Sequence, residues 1–270
     1  MKSKIASPSQ VTYDKAAYST APTYDQDSSS ATQRLRNIML GTFKRYFQKG
    51  QYLLELNSCV GTDAVALTRY GCRVHATSVS PETMKVVESR IGKHYPDSTI
   101  TTGVLPLDDL GRLGGYSFKG AYSNFGGLNS VNNLWGIVQD LGELVTPKGY
   151  VILCFMAGSS LWQMIALLAR ARFREAIRRR PTSEVLASAQ GQLIRTYYHS
   201  PQKVAKAFES RFECVEVGGL NIFTPPPSSR GAYEVLGRAV RLLEMLDDLL
   251  FRVAPFSRWG LHFYIVLKRV

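Results

Sequence analysis

The sequence predicts an α/β protein: a largely parallel β-sheet with helices on both faces. Three observations carry this. Short apolar, β-rich runs alternate strictly with segments of helical periodicity between Tyr52 and Phe155. In that order the chain needs crossover helices, which cover both faces of a parallel sheet. The chain has 270 residues, 45% of them hydrophobic, enough for one large domain with a full core. Such an apolar fraction excludes a disordered chain, and no run approaches the roughly 20 apolar residues of a membrane span.

Residues 1–30 are rich in Ser, Thr, Tyr and Ala without apolar periodicity and read as a flexible arm. Residues 31–270 read as a single domain. From Ala31 to Lys49, the positions Leu35, Ile38, Met39, Phe43 and Phe47 give one apolar helix face, which Gly50 ends. Strands follow at Tyr52 to Leu56, Arg73 to Val79, Ser98 to Val104, Phe118 to Asn124 and Tyr150 to Phe155. The first helix between them covers Thr62 to Arg69. The second opens at Ser80-Pro81-Glu82, where Ser suits the cap, Pro the first turn and Glu the positive end of the dipole. Val131 to Leu144 reads as a third helix, and Pro147-Lys148-Gly149 as the turn out of it. A helix from Ser160 to Arg180 and a strand at Leu193 to Tyr198 form an inserted cap, about residues 157–200. Residues 225–259 form a connection over the sheet with a helix from Tyr233 to Phe251, and Leu261 to Lys268 is the last strand.

The opening MKSKIASPSQ lacks the apolar run of a secretory signal, so a cytoplasmic location is expected. Cys59, Cys72, Cys154 and Cys214 show no metal-ligand or redox spacing and read as buried free thiols, and no metal is expected. The net charge is +12. Residues 151–270 hold 17 basic and 9 acidic side chains, a surplus of 8, against 16 and 12 in residues 1–150. An anion therefore meets the later half of the chain.

The chemistry concentrates in Leu53 to Met84: a strand ending in an acid, a tight turn, a helix start, and a second strand end about twenty residues on. Backbone approaches a ligand closely at such a turn, and the following helix offers its unpaired N–H groups. The run Glu55-Leu56-Asn57-Ser58-Cys59-Val60-Gly61-Thr62-Asp63-Ala64 resembles the first motif of class I S-adenosylmethionine-dependent methyltransferases. It is closest to a bacterial small-molecule subgroup whose motif reads near ELNCGTGEDA. Gly120 to Asn129, GAYSNFGGLN, is similar to that subgroup's fourth strand, near GAYSNFGALN. The resemblance covers roughly residues 10–160. It implies a Rossmann-like seven-stranded sheet of order 3-2-1-4-5-7-6 with an antiparallel last strand, and S-adenosylmethionine as cofactor.

Carried over by position, the resemblance implies that Glu55 faces the cofactor's amino group and that Asn57, Cys59, Gly61 and Asp63 shape the loop beneath it. Ser78 takes the place of the ribose-binding acid. Val79 and Met84 flank the adenine on one side, Val104 and Leu105 cover the other, and Asn124 and Phe125 lie between cofactor and acceptor. Tyr13, Tyr18 and Tyr24 match a Tyr-Asp arm that closes over the cofactor; as plain residues they equally read as anchors of the arm. Two departures stand out. Cys59 replaces a glycine, which strains the backbone by roughly 1 to 2 kcal/mol if its φ is positive. Ser78 offers neutral hydrogen bonds where a carboxylate would accept two charged ones.

Methyl transfer needs a base only for a nucleophile that carries a proton; His262 and His199 are the candidates, while His75 and His94 read as packing and exposed. The tract Arg170, Arg172, Arg174, Arg178, Arg179 and Arg180 is partly explained by a helix dipole. It also fits an anionic acceptor, a carrier protein or transient contact with a membrane surface. The expected activity is methylation of a small-molecule acceptor of specialised metabolism. The alternatives are a methyltransferase-fold enzyme that uses the cofactor otherwise, as in cyclisation, and a non-catalytic binding subunit. Nucleic acid is not expected as a partner, since Ser123-Asn124-Phe125-Gly126 lacks the Asn/Asp-Pro-Pro-aromatic signature. The oligomeric state is not set by the sequence.

Overall fold

The computed structural model describes residues 30–94, 100–158, 160–169, 171, 184–189 and 192–270. Its helices are α1 (Ser30–Tyr46), α2 (Thr62–Tyr70), α3 (Pro81–His94), α4 (Trp135–Leu144), α5 (Leu161–Ala169), α6 (Pro201–Phe208), α7 (Arg230–Leu236) and α8 (Ala239–Leu250). Its strands are β1 (Tyr52–Glu55), β2 (Arg73–Ser78), β3 (Ile100–Val104), β4 (Phe118–Ser123), β5 (Val145–Met156), β6 (Glu184–Ala189), β7 (Gln192–Tyr197), β8 (Phe212–Leu220) and β9 (His262–Arg269).

Seven strands form one sheet in the order β3-β2-β1-β4-β5-β9-β8, and β6 and β7 form a separate pair. Counted within the large sheet alone, this is the expected 3-2-1-4-5-7-6. The first five strands run parallel, and β9 is antiparallel to both β5 and β8. Alternate side chains serve opposite faces. Leu53, Tyr122, Ile152 and Tyr264 pack beneath Met39 and Phe43 of α1, Leu67 of α2 and Val87 of α3. Leu54, Ala121, Leu153 and Ile265 pack beneath Ile137 and Leu141 of α4 and Val204 and Phe208 of α6. α1 lies so close that a Cβ at Gly120 would fall 2.5 Å from the Phe47 ring and 2.7 Å from the Tyr150 carbonyl oxygen. After β3 the chain crosses back over β1 to β4, so the carboxyl ends of β1 and β4 diverge at the switch point, where such sheets form a crevice.

Several boundaries differ from the sequence reading. β8 was not foreseen: Glu213, Glu216, Gly218 and Gly219 break its apolar alternation, and its pairing with β9 shifts register between Cys214 and Glu216. Glu216 is held there by Arg45, Tyr46, Arg252 and the Tyr264 hydroxyl. β5 begins at Val145, so Pro147, Lys148 and Gly149 lie inside the strand rather than in a turn, with Lys148 at φ 64°. Residues 127–130 form a short 3-10 turn and α4 begins only at Trp135. The helix expected from Tyr233 to Phe251 is divided by Gly237 at φ 47°. The strand expected at Leu193 to Tyr198 is β7, which has a partner in β6. All four cysteines are free, but only Cys72 and Cys154 are buried; Cys59 is half-buried and Cys214 exposed. No helix among the described residues is long and apolar enough to cross a membrane.

Candidate active site

The candidate site lies at this switch point, where the loop after β1, the first turn of α2, the loop after β4 and the start of β9 meet. Glu55 ends β1 with its side chain buried. The chain is then pinned on both sides: Leu56 N–H donates to the Tyr122 carbonyl oxygen of β4 at 2.8 Å, and Ser58 N–H to that of Thr77 in β2 at 2.7 Å. Left-handed backbone falls on Asn57, φ 57°, and on Gly61, φ 70°, and not on Cys59. The strain that the resemblance attaches to Cys59 is therefore absent. Asn57, a residue type that tolerates this conformation, donates from Nδ2 to the Gly127 carbonyl oxygen at 3.1 Å, which joins the two loops. A Cβ at Gly61 would meet Val87 Cγ1 at 3.0 Å, so α2 starts where only glycine fits without a shift.

Asp63, in the first turn of α2, accepts from Asn124 Nδ2 at 3.1 Å and lies 3.8 Å from Arg36 of α1. The Arg36 guanidinium sits 5.6 Å above the Phe125 ring, which meets the His262 ring edge-on at 5.9 Å. Phe125 at φ 46° and Gly126 at φ 88° turn the β4 loop back toward the crevice. Arg36 is the site residue that sequence reasoning missed; as one of several arginines on α1, it carries no mark in the sequence.

The electrostatics are unusual. Burial, then the nearby Asp63, pushes the Glu55 carboxyl up to about 8, while Ser58 and Arg36 pull the other way. Asp63 is also raised by burial, against Arg36 and Asn124. Burial with Glu55 and Asp63 nearby holds the Tyr122 phenol well above its usual range. Glu55 Oε2, the Tyr122 hydroxyl and Ser123 Oγ are buried without a hydrogen-bond partner, a costly condition. Burial pushes His262 down to about 4, and its Nδ1 has no partner. His199 is likewise lowered by burial, but its Nε2–H donates to the Val131 carbonyl oxygen at 2.8 Å and its ring packs edge-on against Phe155.

The structure thus brings Glu55, Asn57, Gly61, Asp63, Asn124, Phe125 and His262 together, with Cys59 in the same loop. At the neighbouring strand end, Ser78 is buried and its Oγ accepts the Ser80 N–H at 3.2 Å. Half-buried Val79 and exposed Val104 lie beside it, whereas Met84 and Leu105 are core residues. Asn129 acts as a clip: its Nδ2 donates to the Met156 and Tyr197 carbonyl oxygens, and its Oδ1 accepts the Met156 N–H. Tyr13, Tyr18, Tyr24, Arg170, Arg172, Arg174, Arg178, Arg179 and Arg180 lie outside the described residues. Among the described residues, no three His, Cys, Asp or Glu side chains are grouped to hold a metal ion.

No family model matches the chain, and no curated protein matches it in sequence. Solved structures match in fold. Geranyl diphosphate C-methyltransferase from Streptomyces coelicolor A3(2), solved with Mg2+, geranyl diphosphate and S-adenosyl-L-homocysteine, superposes with a TM-score of 0.54. The match has 13% identity and covers 88% of this chain and 80% of that one. Burkholderia thailandensis 1,6-didemethyltoxoflavin-N1-methyltransferase, with its substrate and S-adenosylhomocysteine bound, gives 0.54 at 13% identity over 100% and 92%. Haemonchus contortus phosphoethanolamine N-methyltransferase 2, in complex with S-adenosyl-L-methionine, gives 0.52 at 14% identity over 87% of this chain and 52% of that one. The fold is the Rossmann-like methyltransferase fold.

Proposed function

We propose that the chain binds S-adenosylmethionine in the crevice between the carboxyl ends of β1 and β4 and transfers its methyl group to a small-molecule acceptor. One observation carries the reading. On a sheet of this strand order, the acid that ends β1 is buried beside the switch point with one carboxylate oxygen lacking any partner. An ammonium group is the ligand chemistry that such an oxygen accepts.

When bound, the cofactor supplies a methyl carbon made electrophilic by its sulfonium, so the protein's work is to align reactants and exclude water. Glu55, once deprotonated, would hold the ammonium; Asn57 and Gly61 fix the loop beneath, with Cys59 beside them. Asp63, paired with Arg36 and Asn124, holds the two loops in register. Val79 and Val104 offer apolar walls for an adenine. Fit is poorer at the ribose, where Ser78 supplies a hydroxyl already accepting one backbone N–H. His262 stays neutral at pH 7 and can accept a proton at Nδ1 from an acceptor hydroxyl or amine. His199, tied to Val131, acts in positioning. The acceptors named for the structural neighbours are small molecules, some phosphorylated, and the arginine tract of residues 170–180 favours an anionic acceptor here.

Isothermal titration calorimetry with S-adenosylmethionine and S-adenosylhomocysteine tests the reading. Binding of both is expected. Near pH 7, S-adenosylmethionine binding should release about one proton from Glu55, read from the dependence of heat on buffer ionisation. Glu55→Ala should weaken binding at least tenfold. No binding of either compound at millimolar concentration overturns the cofactor assignment.

A further inference from the structure

Helix α8 carries an apolar stripe that nothing among the described residues covers. Leu242, Met245 and Leu249 are 64%, 67% and 72% exposed, and Leu246 is 40% exposed. At these exposures the four side chains present on the order of 450 Å2. That lies in the upper part of the roughly 300 to 600 Å2 of the largest apolar patches, which are often functional, and matches the apolar share, just over half, of the roughly 800 Å2 per partner of a standard interface.

The helix is held firmly. Asp247, on its inner face, accepts the backbone N–H groups of Ile222, Phe223 and Thr224 at 3.1, 2.8 and 3.3 Å. Arg34 of α1 donates to the Glu244 carbonyl oxygen and bonds to Asp248, and the Phe251 carbonyl oxygen accepts from Gly219 N–H. A rigid apolar stripe loses little entropy when it docks.

We infer that this stripe is an interface between two copies of the chain, with the two α8 helices packed antiparallel about a twofold axis between Met245 and Leu246. The spacing 242, 245, 246, 249 reads the same in both directions. An antiparallel copy therefore sets Leu242 against Leu249 of the second copy, and Met245 against its Leu246, which is the self-complementarity that an isologous interface demands. Charges agree. At about 100° per residue, Arg241 and Asp248 lie within about 20° of each other on one edge of the stripe. The twofold brings like edge to like edge, so each Arg241 meets Asp248 of the second copy. An anionic lipid surface fits less well, because Glu234, Glu244 and Asp248 offset Arg238 and Arg241 where a lipid-binding helix carries a basic excess.

Sedimentation velocity of the full chain, from 1 to 100 μM in about 0.15 M salt, tests this. A dimer is expected. The double substitution Leu242→Lys, Leu249→Lys should raise its dissociation constant at least 100-fold while leaving the circular dichroism spectrum unchanged, since both side chains are exposed. A wild-type dimer that survives the double substitution overturns the inference, because some other surface then holds it together. A wild-type monomer throughout the range overturns it too. If that monomer floats with phosphatidylserine vesicles and the doubly substituted chain does not, the stripe belongs to a membrane instead.

Discussion

Glu55 offers a sharp test of the site, because its burial is written into the pH dependence of stability. Its carboxyl moves from an ordinary value of 4.5 to about 8 in the folded protein. Between those values the folded chain holds a proton that the unfolded chain has released. Stability therefore falls as pH rises through this window and levels off above it. The whole window is worth about 5 kcal/mol, and the part between pH 6.5 and 8 about 1 to 2 kcal/mol. Glu55→Gln keeps the shape and removes the proton. The amide also leaves a buried N–H group in need of an acceptor, which costs about 1 to 3 kcal/mol at every pH, so the absolute stability of the variant is not the readout. The readout is the change with pH: urea unfolding of both proteins at pH 6.5 and 8, with the variant gaining about 1 to 2 kcal/mol on the wild type between the two. His75, His199 and His262, all lowered by burial, tilt stability the opposite way on the acid side, but both proteins share them and they cancel. A difference that stays constant between the two pH values refutes the buried, protonated carboxyl.

Other consequences follow from the same structure. His262 falls from 6.5 to about 4, so its contribution is complete above pH 6.5 and is lost as pH drops toward 4; His262→Phe should flatten that acid limb by up to about 3 kcal/mol in urea titrations. The same substitution should lower methyl transfer to a proton-bearing acceptor by on the order of 100-fold in a turnover assay. Asp247→Ala strips three backbone N–H groups and the Thr224 hydroxyl of their acceptor and should cost about 3 kcal/mol of unfolding free energy. Arg36→Met leaves Asp63 without its cation and should weaken S-adenosylmethionine binding about tenfold by calorimetry. Gly120→Ala puts a methyl group 2.5 Å from the Phe47 ring, an overpacking that should lower the urea midpoint by an amount equivalent to about 2 kcal/mol or more.

Much of this could be read from the chain alone, because it rests on local rules. The alternation from Tyr52 to Phe155 set a parallel sheet, and Ser80-Pro81-Glu82 marked the start of α3, where the Ser80 hydroxyl caps Thr83 N–H. The acid-ended strand and the turn with Gly61 marked the end of β1 at the switch point. Other features needed the assembled molecule. β8 is a strand only because β9 lies beside it and Arg45, Tyr46, Tyr264 and Arg252 satisfy Glu216; its own alternation is broken. Arg36 lies 27 positions before Asp63 in sequence, and only the packing of α1 over the sheet brings them together. Left-handed backbone went to Asn57 rather than Cys59 because hydrogen bonds to both neighbouring strands dictate where the loop must bend. Periodicity and capping act within a few residues and are legible in order along the chain. Desolvation of Glu55, the company kept by Asp63 and the exposure of α8 depend on which distant surfaces meet, and that is decided only when the sheet closes between its helices.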